Sequence, residues 1–270
     1  MKTPLVSVVM ATYNDGAEYI KCAIESILKQ TYENIELLVV DDSTDEATIK
    51  AIDAFSVDGR VHIIRSDKKN GFVPSLNIGL RAAKGEFVAR MDGDDIAKTD
   101  RFEKQVKFLQ AHENVDVIGG NINIINESNE VISYRNYPER GIKFFIYSVL
   151  RSPLAHPTVM FRRRVVDEGF FYDENLKKSE DLDLWLRLLN ASYVIQNIPE
   201  TLLDYRVASD FGDKRTDRSQ IDAVGAVRRK NFSAKRFFFS VLSVLATTVF
   251  SIVPESMIKG IYKKENSKNK

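Results

Sequence analysis

A single cysteine in 270 residues, Cys22, excludes an internal disulfide and any cysteine-built zinc site, and it fits a reducing compartment. Two phosphate-binding patterns are also missing. No Gly-x-Gly-x-x-Gly follows the first apolar run, where Met10-Ala11-Thr12-Tyr13-Asn14 stands instead, and no loop ends in Gly-Lys-Ser or Gly-Lys-Thr. A phosphate-bearing ligand would have to be held by other means. The start, Met1-Lys2-Thr3-Pro4, lacks a charged segment followed by a long apolar signal region, so a location on the cytoplasmic side is expected. Net charge is nearly absent at +1, but the balance is uneven: thirteen Lys and Arg against four acids in residues 214–270 give about +9, leaving about −8 on the remainder.

What is present is a chain of ordinary globular composition, long enough for one large α/β domain with an appendage. Leu5-Val6-Ser7-Val8-Val9-Met10 reads as a buried parallel strand closed by a loop at residues 11–16. Tyr19, Cys22, Ala23, Ser26, Ile27 and Gln30 then repeat at helical spacing. A second strand over residues 35–40 runs into Asp41-Asp42-Ser43-Thr44-Asp45, polar side chains able to turn the chain and cap a helix over 46–55, with Asp41 the favoured cap. A third strand (60–65), an Asn70-Gly71 turn, a helix (73–83) and a strand from residue 86 complete an alternation that predicts right-handed crossovers around a mostly parallel sheet. Ligands of such sheets sit at the carboxyl ends of the strands, which would bring the loops at residues 11–14, 41–42 and 92–95 to one crevice.

The last of these loops, Asp92-Gly93-Asp94-Asp95, crowds three carboxylates beside a glycine. Neighbouring carboxylates repel and partly protonate unless a cation neutralises them, and hard oxygen ligands suit Mg²⁺ or Mn²⁺. A solvated acidic turn is the alternative.

Val6 to Asn14, Glu36 to Asp45, Asn70-Gly71 with Asn77-x-Gly79, and Asp92-Gly93-Asp94-Asp95 occur in an order that resembles the family 2 glycosyltransferases over residues 5–206. The resemblance implies the GT-A type nucleotide-sugar fold, a mixed, mostly parallel α/β sheet flanked by helices. It implies further that the Ala11 backbone and Tyr13 ring border the nucleoside of a nucleotide-sugar donor, UDP-linked by expectation. Asp42 would meet the base, Asn70 would lie in the donor site, and Asp92 and Asp94 would meet a Mn²⁺ or Mg²⁺ ion. Many members carry Gly-Ser after the paired aspartates and Arg before the second asparagine; this chain has Ser43-Thr44 and Leu76. Tyr13 could instead be a core aromatic, and Asn70-Gly71 a plain turn.

Helices are expected over residues 101–111 and from Glu180, a strand over 115–119 and a polar hairpin-like excursion over 121–131. Glu180-Asp181 opens its helix where backbone N–H groups favour a carboxylate. It also resembles the family's catalytic pair, with Asp181 as the base that takes a proton from an acceptor hydroxyl in one inverting displacement. His156, in His-Pro-Thr, matches a segment on the acceptor side, although a lone histidine is as readily structural. Arg206 matches a position near the phosphates, where it could close with Lys214 and Arg215 of a loop at 210–217.

These expectations divide the chain into a catalytic domain (1–206), a loop and connector (207–234) and a basic, apolar helical tail (235–270). Within the tail, residues 237–253 span about 25 Å as a helix, short of a ~30 Å hydrocarbon core. Ser240, Ser243, Thr247 and Ser251 fall on one face, and Lys235-Arg236 and Lys259, Lys263 and Lys264 flank it. The pattern suggests a helix on an anionic membrane at the cytoplasmic face, near a lipid-linked glycan acceptor; packing on the domain or a homodimer contact is the alternative. No nucleic-acid partner is expected. No Gln-x-x-Arg-Trp stretch or array of spanning helices is present, which argues against a processive polymerase. A sugar-phosphate nucleotidyltransferase would want a glycine-rich basic loop where residues 11–16 lie; a non-catalytic nucleotide-sugar-binding membrane scaffold is the remaining alternative.

Overall fold

The computed structural model describes residues 3–66, 68–207 and 218–253. Strands β1 (Val6–Thr12), β2 (Ile35–Asp41), β3 (Val61–Ile64) and β4 (Phe87–Asp92) alternate with helices α1 (Ala17–Leu28), α2 (Glu46–Asp53) and α3 (Phe72–Ala82). They form the parallel half of one sheet in the order β3-β2-β1-β4. The short β5 (Ile96–Ala97), α4 (Arg101–Ala111), β6 (Val117–Ile125), β7 (Val131–Arg135) and α5 (Gly141–Leu150) follow. Next come β8 (Met160–Arg162), α6 (Arg164–Asp167), α7 (Glu180–Asn190) and β9 (Ile195–Arg206). Beyond residue 217 lie α8 (Arg218–Lys230) and α9 (Phe237–Ile252). The sheet continues from β4 through β8, β6 and β9 to β5, antiparallel except for β6 with β9.

Alternation along β1 explains the layering. Val6, Val8 and Met10 join the core beneath α1, α2 and α4, while Val9 and Ala11 join the core beneath α3 and α7. Because both faces are covered, the central strands read as unbroken apolar runs. α3 sits close on β1 through Gly79, where a Cβ would overlap Val9 Cγ1.

Several expectations shift in the structure. α2 is capped by Asp45, whose carboxylate accepts from Thr48 N at 2.8 Å. Asp41 instead accepts from Ser43 N and pairs with Arg65. β6 runs to residue 125 through the stretch read as a polar excursion, because its asparagines are satisfied laterally: Asn121 accepts from Tyr137 N and Asn123 donates to Asp204. α5 has no counterpart in the sequence reading, and residues 218–230 of the expected connector are helical. Lys214, Arg215 and the 210–217 loop lie outside the described residues.

Candidate active site

A crevice of about 260 Å³ opens at the carboxyl ends of β1, β2 and β4. Ala11, Tyr13, Asp42, Asp92 and Asp94 all line it, together with Tyr205 and with Asp15, Phe72 and Ser75, the last three not singled out by sequence reading. Tyr13 is 45% exposed rather than packed in the core, and Lys69 Nζ lies 3.5 Å from its ring centre. The β1–α1 loop is tied to the next one by Asn14, whose Oδ1 accepts from Thr44 N and Asp45 N while its own N–H donates to Ser43 Oγ. The departure at Ser43-Thr44 therefore has a local purpose, since the two hydroxyls help hold this rim together.

Asp42 acts as an anchor for the α3 entry. Its Oδ2 accepts from Asn70 N at 2.9 Å and Gly71 N at 2.7 Å, and its Oδ1 accepts from Asn70 Nδ2 at 3.0 Å. Asn70 is thus bound to Asp42 and does not line the crevice, and Gly71, with φ of 87°, takes a conformation that side-chain-bearing residues rarely adopt.

In the acidic turn, carboxylate oxygens of Asp92, Asp94 and Asp95 lie within 4.8 Å of one another. Asp15 presses on the same turn: a Cβ at Gly93 would fall on Asp15 Oδ2. Burial, then the charges of Asp92 and Asp15, push the Asp94 carboxyl up to about 7. Burial and its neighbours likewise hold Asp95 well above the usual carboxylate range, and its Oδ2 is buried with no hydrogen-bond partner. Crowded, under-neutralised carboxylates with an unpartnered buried oxygen fit a hard divalent cation.

The counter-charges inside the fold explain why the turn survives. Arg90, buried on β4, meets both carboxylate oxygens of Asp92, one of them by Nη1 at 2.6 Å. Arg206 plays a different part from the phosphate contact expected of it. Only 6% exposed, it donates from Nε to the Asp94 carbonyl at 2.7 Å, from its backbone N to Asp95 Oδ1, and from its Nη groups to Asn126 O and Asn129 Oδ1. With these contacts made, Arg206 is a clasp on the acidic turn rather than a residue facing the crevice. Arg206→Ala should lower stability by about 3 kcal/mol in urea unfolding, since it strands buried acceptors of a charged donor.

Glu180 and Asp181 occupy the first turn of α7, and neither lines the crevice. Asp181 Oδ2 accepts from Ser152 Oγ at 2.8 Å. Glu180 is raised by burial, then by the Asp181 charge, while Arg90 opposes and Asp92 adds, so the helix start and the acidic turn share one electrostatic neighbourhood. His156 is a pillar of this wall: its Nε2 is 2.7 Å from Tyr172 Oη and its ring meets Trp185 edge-on. Burial, with Arg90 adding, keeps it well below the usual imidazole range, and hence neutral.

Residues 7–170 match the pattern of glycosyl transferase family 2. The chain belongs to this family. Among curated relatives of this glycosyltransferase, the O-antigen biosynthesis glycosyltransferase WbnJ of Escherichia coli is 32% identical over 248 residues, 89% of this chain and 94% of the relative. Among solved structures, Staphylococcus aureus TarS 1–349 in complex with UDP-GlcNAc superposes with a TM-score of 0.67 at 19% identity, covering 88% of this chain and 70% of that one. A mannosyltransferase from Pyrobaculum calidifontis in complex with GDP-Man and Mn²⁺ gives 0.62 at 16% identity, covering 97% and 80%. The glycosyltransferase thus has the GT-A-like sheet that its motifs imply.

Asp15, Arg90 and Ser152 were not singled out in the sequence, and Asp95 was read as part of the acidic turn without being assigned to the metal. Arg90 carries a faint signal, a charge inside an otherwise apolar strand two residues before the acidic turn. Ser152 carries none, because its partner Asp181 lies 29 positions away.

Proposed function

We propose that this glycosyltransferase moves one sugar from a nucleotide-sugar donor, UDP-linked, to a hydroxyl of a lipid-linked glycan acceptor, with inversion, in cell-surface polysaccharide biosynthesis at the cytoplasmic face of the membrane. The observation that carries the reading is the convergence of Tyr13, Asp42 and the acidic turn in one crevice; the charges of both Asp92 and Asp181 act on Glu180 at the start of α7. The UDP-GlcNAc bound by TarS supports the donor class, and the O-antigen role of WbnJ supports the acceptor class.

The Tyr13 face and the Ala11 backbone border the nucleoside, and Asp42 offers Oδ1 to a base N–H. Asp94 and Asp95, with Asp92, would hold Mn²⁺ or Mg²⁺, which when bound offsets charge on the leaving diphosphate. Asp181 accepts the acceptor hydroxyl's proton as its oxygen forms a bond to the anomeric carbon. The bond from that carbon to the diphosphate oxygen breaks, and its electron pair leaves with the nucleoside diphosphate. Ser152 holds the Asp181 carboxylate in place through the turn. The test is a screen of nucleotide sugars with membrane extracts or synthetic lipid-linked acceptors. Transfer from a UDP-sugar with inverted configuration is expected, and retention, or transfer from other donors alone, would overturn that part of the reading.

A further inference from the structure

Helix α9 is built inside out for a protein surrounded by water. Its hydroxyl face, Ser240, Ser243 and Thr247, is buried on the body, whereas Phe238, Leu242, Leu245, Val249 and Ile252 are exposed, Phe238 by 79% and Ile252 by 76%. Soluble surface helices do the reverse. Helix α5 beside it, joined by the edge-to-face pair Phe145–Phe239, exposes Ile142, Ile146 and Leu150, the first by 69%.

The two exposed stripes face the same way, and a buried arginine shows it. Arg228 of α8 donates from Nη1 to Ser243 O on α9 and from Nη2 to Ser148 O on α5, so both serines face inward to one guanidinium. At 100° per residue, Ile146 and Leu150 lie roughly 160° around α5 from Ser148, and Leu245 and Ile252 lie roughly 160–180° around α9 from Ser243. Both apolar stripes are thus on the outer side of one two-helix layer.

From this geometry we infer that α5 and α9 together form one face that inserts into an anionic bilayer surface, with the catalytic domain itself contributing α5 to the membrane contact. Charge supports this occupant: exposed Lys143 and Lys235 edge the layer, and residues 254–270 carry five lysines against two glutamates. The consequence is directional. α5 ends two residues before Ser152, the hydrogen-bond partner of Asp181, so the bilayer lies at the acceptor end of the site and a lipid-linked hydroxyl reaches Asp181 along the Leu150 end of α5. This last step rests on the transferase reading; the membrane face does not.

The experiment floats the full chain with phosphatidylglycerol-containing vesicles and with phosphatidylcholine vesicles. It compares wild type, Ile142→Glu/Ile146→Glu and Phe238→Glu/Leu245→Glu, each checked for an unchanged thermal transition. Wild type should float with the anionic vesicles, and each pair should cut the bound fraction at least about tenfold, since every replaced chain removes an apolar insertion and adds repulsion. Turnover on a short water-soluble acceptor should be unchanged. An α5 pair that floats like wild type, wild type that floats with neither vesicle, or a wild-type dimer that Ile146→Glu dissociates without any vesicle binding would each overturn the inference. Vesicle binding with no sugar transfer from any donor would instead remove the transferase reading and leave the face standing.

Discussion

Asp181→Asn should lower turnover about 10²- to 10⁴-fold while leaving the affinity for UDP within a factor of two of wild type. Asn keeps an oxygen for the Ser152 Oγ hydrogen bond, 2.8 Å in the native protein, so the helix start and its geometry should persist. It cannot take a proton. The loss should therefore fall on kcat with an acceptor present, and the donor's KM should hardly move, because the donor crevice is lined by other residues. Glu180→Gln is the internal control: its carboxyl, raised by burial and by Asp181, neighbours the proposed base without being it. A smaller loss, about tenfold, is expected there. If Glu180→Gln abolished turnover and Asp181→Asn preserved it, the two roles would be exchanged. Ser152→Ala should cost about tenfold in kcat, with the loss recovered by Ser152→Thr, as befits a positioning residue.

The parallel half of the fold was legible because each strand is a short β-branched run ended by polar turn residues, and each helix carries an apolar stripe at helical spacing. The far half was less so. β6 contains Asn121 and Asn123, whose side chains are satisfied by partners distant in sequence, and polarity alone made that stretch look like a loop. α5 was missed for a related reason. Its apolar residues lie outward as well as inward, Phe144 buried and Ile142 and Ile146 exposed, so periodicity gives no water-soluble amphipathic pattern to detect.

The site was readable wherever function sits at the end of a strand, and not where it depends on long-range charge balance. Asp92 and Asp94 are next-but-one neighbours, so their crowding is plain in one dimension. Arg206 was assigned to phosphate because it matches a family position near the phosphates. In three dimensions its donors are taken by Asp94 O, Asp95 Oδ1, Asn126 O and Asn129 Oδ1, partners some 80 to 110 positions away. Arg101 shows the same economy from the other side: burial, with Arg90 adding, lowers it to about 9 while it donates to the Arg90 carbonyl.

Asp94→Ala should abolish Mn²⁺-dependent binding of UDP, with affinity falling at least about 100-fold, while UDP binding in chelator stays at the weak level of the metal-free wild type. The argument is electrostatic. Asp94, half-buried, and Asp95, buried, are held above their ordinary range, whereas both oxygens of Asp92 already meet Arg90. Removing Asp94 therefore removes an uncommitted carboxylate, and Asp92 cannot replace it without giving up its pairing with Arg90. The same substitution relieves repulsion, so the metal-free protein should not lose stability at pH 8; a gain of up to about 1 kcal/mol is expected. The sign follows from linkage. Asp94 is raised to about 7 against an ordinary aspartate value of 3.8, so the folded metal-free protein binds a proton more tightly than the unfolded chain. That contribution is present below pH 4 and lost as pH rises through 7. A cation competes with that proton, and Mn²⁺ affinity should climb about tenfold from pH 6 to pH 8 in wild type and less steeply in any residual binding by Asp94→Ala. Calorimetric titration of Mn²⁺ with and without UDP reads both effects, and a variant that kept wild-type Mn²⁺-dependent UDP affinity would show that the acidic turn is not where the donor's diphosphate is held.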